Sequence, residues 1–91
     1  MHYVYVLLST KDKNWFYVGS SADLRKRLIE HNNGRVFSTK PKKPFILIYY
    51  EAYLNKKDAL IREKRLKTHQ QRDFLKGRIK YSLLQNNIPA G

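Results

Sequence analysis

Two short runs rich in aromatic and β-branched residues, Tyr3–Ser9 (YVYVLLS) and Trp15–Gly19 (WFYVG), are separated only by the polar stretch TKDKN. Such runs have strand character. A connection this short leaves the second strand little choice but to fold back beside the first, so an antiparallel hairpin is expected. A third run, PFILIYYEAYL, is expected to be a strand buried through Phe45 to Tyr50. Its apolar part, FILIYY, is far shorter than the about 20 residues a membrane-crossing helix needs.

Between the second and third runs the pattern becomes helical. Gly19 is expected to end its strand, Ser20 or Ser21 to cap the helix that follows, and Asp23 to sit near its positive end. At 100° per residue, Leu24 and Leu28 lie about 40° apart and form the buried stripe. Arg27 falls about 60° to one side of Leu24, and His31 about 20° to the same side, so both border that stripe. Asn32-Asn33-Gly34 is a left-handed stop signal. The segment Arg35–Pro44 reads as a basic loop in which Pro41 and Pro44 exclude regular structure. Asn55, with Asp58 three residues on, opens a helix to about Thr68. A further basic helix is expected over Arg72–Leu84, with Phe74, Leu75, Ile79, Leu83 and Leu84 as its apolar positions.

The expected architecture is α+β: a three-stranded antiparallel sheet flanked by helices in the order β-β-α-β-α-α. The 91-residue length allows one domain, expected over residues 1–84, and the closing residues NNIPAG read as a loose tail within 85–91. The chain contains no cysteine, which excludes disulfide scaffolds and cysteine-based zinc sites and suits a reducing cytoplasm. The first residues lack a charged leader or small-residue cleavage site, so no secretory signal is expected. Nineteen Lys plus Arg against seven Asp plus Glu give a net charge of +12. A domain this basic attracts polyanions, with nucleic-acid phosphate the leading candidate.

Glu63 is the most informative acidic residue, because its segment ALIREKRLK is otherwise basic. Relative to Ala59 it falls at about 40° and Leu66 at about 340°, so Glu63 shares the inward face. An inward carboxylate needs a partner, either a buried cation or a metal ion. The tyrosines of the first two runs are open to two readings, as packing residues or as groups that handle a proton. So is His31, which could simply bond the carbonyls at a helix end. The three histidines are too scattered to suggest a zinc site, and no phosphate-binding glycine loop or serine-histidine-acid set is present.

YVY at Tyr3–Tyr5 and YVG at Tyr17–Gly19 resemble the two half-motifs of the GIY-YIG nuclease superfamily, with Tyr3 standing where the name motif has its first glycine. The match continues through Arg27 and His31 to Glu63. The HNNG stretch, the TK and proline after it, and FILIYYE resemble the small stand-alone bacterial branch. The resemblance implies hydrolysis of phosphodiester bonds with one divalent ion, Mg2+ or Mn2+, held by Glu63 and water. It implies that Arg27 holds the scissile phosphate, and that Tyr5 and Tyr17 position or deprotonate the attacking water with help from His31. The base could be any of these three.

A metal-dependent endonuclease acting on DNA, in repair or recombination, is therefore expected. Lys40, Lys42 and Lys43 of the basic loop, with the third helix, would steer the backbone. Phosphate alone does not separate DNA from RNA, and a protein partner could supply targeting. The alternatives are a non-catalytic nucleic-acid-binding module of the same fold, and an interaction subunit whose basic face docks an acidic protein.

Overall fold

The computed structural model describes residues 1–85, apart from the side chains of His69 and Arg72. Strand β1 (His2–Ser9) pairs antiparallel with β2 (Phe16–Ser21) on one side and with β3 (Phe45–Tyr53) on the other. The sheet order is β2-β1-β3. The hairpin and the three-stranded antiparallel sheet expected from the sequence are both present.

Alternation along β1 divides the core in two. Val4 and Val6 face Ala59, Leu66 and Leu75, while Leu8 faces Leu83. On the opposite face Tyr5 and Leu7 pack with Phe45, Leu24 and Leu28. Helix α1 (Leu24–Asn32) thus covers one face. The other is covered by α2 (Lys56–Leu66), α3 (His69–Arg78) and α4 (Lys80–Gln85). Each fully buried Leu or Val contributes about 1.5–3 kcal/mol. These side chains, on a strand sealed from both sides, hold the fold without disulfides. Among the described residues no helix is long and apolar enough to cross a membrane.

Several local expectations are corrected. Strand β2 does not stop at Gly19, because Ser20 and Ser21 pair with Val4 and Tyr3. The helix cap passes to Asp23, whose carboxylate accepts from the Lys26 N–H at 3.0 Å. Strand β3 is an edge strand, so of its residues only Phe45 is buried, and Tyr50 is 53% exposed. Its register shifts opposite Val6 and Leu7, where Tyr49 and Leu47 are the partners and Ile48 is left over. This bulge brings Ile48 and Tyr49 to the same core cluster although they are adjacent in sequence.

The basic loop contains a 3-10 turn over Lys40–Lys42, with Pro41 in its first positions, where a fixed φ and a missing N–H do no harm. The single helix expected over Arg72–Leu84 begins earlier and breaks at Ile79. The break lets Leu75 join the Val4 cluster while Leu83 reaches Leu8. Of the apolar positions of that segment, Phe74 and Leu84 are exposed. Of the expected tail, Gln85 closes α4, and residues 86–91 lie outside the described residues. The stop at Gly34 (φ 72°) and the Asn55 cap, which accepts from the Lys57 N–H at 2.8 Å, are as the sequence implied.

Candidate active site

Tyr5 and Gly19 are direct partners across the β1–β2 ladder. The Tyr5 ring lies over Gly19 so closely that a Cβ there would sit 2.5 Å from the tyrosine hydroxyl. Tyr5 is 1% exposed and cannot swing away. Gly19 is therefore required for close approach, not for an unusual backbone angle.

The hydroxyl of Tyr5 is 2.8 Å from His31 Nε2, and His31 Nδ1 is 2.7 Å from Thr39 Oγ1. His31 is fully buried, the only residue of α1 that is. The expected stripe of Leu24 and Leu28 is half-buried instead, because the imidazole fills the space beneath the helix. Burial, and then the positive charge of Arg27, push the His31 pKa down to about 4, so the ring is neutral near pH 7. Burial pushes Tyr5 up to about 12, against the opposing influence of the Arg27 guanidinium. Tyr5 therefore keeps its proton and donates to Nε2. The remaining ring proton is on Nδ1 and goes to Thr39, whose own hydroxyl donates to the Val36 carbonyl at 3.3 Å.

Asn32, next in α1, fixes this helix end to the sheet. Its side chain donates to the Phe45 carbonyl at 3.2 Å and accepts from the Phe45 N–H at 2.6 Å. The half-buried Tyr17 adds a third ring, its centroid 5.1 Å from that of His31, and is stacked in turn on Trp15. Arg27 is partly exposed and keeps a long ion pair to Glu30 at 3.5 Å. Tyr5, Tyr17, Arg27 and His31 are thus gathered on the α1 face of the sheet.

Glu63 approaches from the α2 face. Its Oε1 accepts from the Ser20 hydroxyl at 2.6 Å, and its Oε2 is 2.9 Å from Lys67 Nζ. The side chain is 19% exposed. Burial would raise its pKa, but the bonds from Ser20 and Lys67 outweigh this and hold it below the ordinary carboxylate value. Gly19 and Ser20, consecutive in β2, join the two halves: one lies under Tyr5 and the other holds Glu63. The Glu63 charge is felt at Tyr5.

Among the described residues no three His, Cys, Asp or Glu side chains gather as a metal cluster. A site built on one carboxylate and water remains compatible with this chain, since Mg2+ retains most of its water. Oε2 is held by a side chain that is 52% exposed, so a cation is already accommodated there and can leave without disturbing the core.

The lysines of the basic loop divide. Lys42 is tied to Asp12 at 2.9 Å, whereas Lys40 and Lys43 are exposed and make no ion pair among the described residues. Sequence reasoning missed Ser20, Thr39 and Lys67. Lys67 had a readable signal, its spacing of four from Glu63 on one helix. Ser20 was read as a cap. Thr39 reaches His31 only because the loop folds back. A second polar cluster was missed as well: Glu51 accepts from Tyr49 at 2.5 Å, from Tyr53, and from Arg62 Nε at 2.9 Å, and this ties β3 to α2.

Residues 1–79 of the chain match the family model of the GIY-YIG catalytic domain, and the chain belongs to this family. It is 40% identical over 76 residues to a UPF0213 protein of Staphylococcus saprophyticus, covering 82% of this chain and 90% of that protein. A UPF0213 protein of Staphylococcus epidermidis is 37% identical over the same shares. One of Bacillus pumilus is 38% identical over 74% of this chain and 67% of its own length. No solved structure matches the chain significantly.

Proposed function

We propose that this protein is a divalent-metal-dependent endonuclease that hydrolyses phosphodiester bonds in DNA. The observation that carries this reading is the 2.8 Å hydrogen bond between the buried Tyr5 hydroxyl and neutral His31 Nε2, a donor and an acceptor for one proton, with the positive charge of Arg27 acting on both groups. In this reading residues 1–84 form the working domain, acting in the cytoplasm in repair or recombination.

Arg27 binds the scissile phosphate through its planar guanidinium and stabilises the negative charge that develops there. Tyr17, the more exposed of the two tyrosines, orients the attacking water. The water's proton passes to the Tyr5 oxygen while the Tyr5 proton passes to His31 Nε2. The water oxygen bonds to phosphorus, the bond to the leaving oxygen breaks, and that oxygen takes a proton from solvent, to which His31 releases the one it accepted. A phosphate at Arg27 offsets one of the two causes that keep His31 weakly basic. Glu63 would hold Mg2+ or Mn2+, which when bound neutralises charge on the phosphate. Thr39 keeps the proton on Nδ1, leaving Nε2 free to accept.

The Glu63–Lys67 pair favours one rival, a binding module in which Glu63 is only structural. Cleavage of labelled single-stranded, duplex and branched DNA, with Mg2+, Mn2+ or EDTA, separates the two. Metal-dependent cutting that disappears in Glu63→Ala and Arg27→Ala is the expected result. No cutting of any form, with salt-sensitive binding retained, would leave the binding module.

A further inference from the structure

Phe37 is 93% exposed, and its surroundings are firmly held. Thr39, two residues on, is fully buried against His31. The Val36 carbonyl accepts from the N–H groups of Thr39 and Lys40 at 3.1 and 3.0 Å. Further along, the Lys42 carbonyl accepts from Ser9 Oγ at 2.6 Å, and its side chain pairs with Asp12. A bare aromatic ring is thus presented on an anchored turn. In the same loop, Arg35, Lys40 and Lys43 are exposed and make no ion pair among the described residues. Leu54 is comparably exposed at 90%, but no such tie links it to the candidate site.

A bare ring on a loop that also carries unpaired cations fits a ligand with both a π-face and a phosphate. An anchored turn also loses little freedom on binding. We infer that Phe37 stacks on an unpaired nucleobase adjacent to the phosphate held at Arg27, so that the substrate is DNA with single-stranded character. Insertion into an intact duplex would require unstacking a base step, which costs a few kcal/mol, whereas an unpaired base offers its face freely. The inference rests on the nuclease reading for its substrate, but its test does not.

Anisotropy with a labelled single strand and the matching blunt duplex, in EDTA so that nothing is cut, measures the contact. Phe37→Ala should lose roughly tenfold in single-strand affinity and roughly nothing on the duplex. Phe37→Trp should bind as wild type, and Leu54→Ala should be silent. The salt dependence should not change, since no charge is removed. Phe37→Ala binding the single strand as tightly as wild type, or losing duplex affinity equally, would overturn the inference. If the stacking loss appears but the wild type cuts no DNA with metal, the nuclease reading fails and Phe37 still binds the base. If cutting appears without the stacking loss, the reverse holds.

Discussion

The buried His31 ties folding stability to pH in a window where few other groups titrate. Its pKa falls from 6.5 to about 4 on folding. Between those values the unfolded chain binds a proton that the folded protein refuses, so stability is full above pH 6.5 and is lost as pH falls. Because the ring is 0% exposed, solvent screening does not dilute the effect. From pH 7 to pH 5 the loss is about 2 kcal/mol, and the whole shift is worth about 3 kcal/mol. Asp12, Glu51 and Glu63 are also held below their ordinary values. They add losses of the same sign, concentrated at lower pH. Urea unfolding of wild type and His31→Gln across this range isolates the histidine, because the carboxylate contributions are common to both. The wild-type curve should fall more steeply by the stated amount. Parallel curves, or a His31 resonance titrating near pH 6.5, would refute the buried neutral imidazole and with it the direction of the Tyr5–His31 hydrogen bond.

Two other substitutions probe the joint between the half-sites. Gly19→Ala places a methyl group 2.5 Å from the Tyr5 hydroxyl, so unfolding stability should drop by about 1–3 kcal/mol and His31 should titrate at a higher pH. Lys67→Ala frees Oε2 of Glu63, so the Mg2+ concentration for half-maximal cleavage should fall by a few-fold, and stability should change by about 0.5 kcal/mol at most.

The features legible from sequence were those whose physics is local. The hairpin followed from the spacing of YVYVLLS and WFYVG. The Asn55 cap and the Gly34 stop followed from side chains that bond or relax the backbone within a few residues. The inward turn of Glu63 followed from helical periodicity, and the expected roles of Arg27 and His31 rested on their resemblance to a family pattern. Ser20 and Ser21 were misread because they are plausible caps locally, and only their pairing with Val4 and Tyr3 assigns them to a strand. Strand β3 was misread because FILIYY is apolar enough for a sheet centre, yet the chain order puts β1 there.

The amino-acid sequence alone therefore determined the three strands and the first two helices in their order, the basic character of the surface and the residue types available for phosphate chemistry. Tertiary structure alone decided that Tyr5 crosses Gly19 to reach His31, that Thr39 returns to set the imidazole proton, and that Ser20 holds Glu63 from the other face. Those contacts join residues from 8 to 43 positions apart. Neither propensity nor periodicity carries information over such separations. They exist because burying both faces of one central strand brings α1 and α2 to the same end of β2.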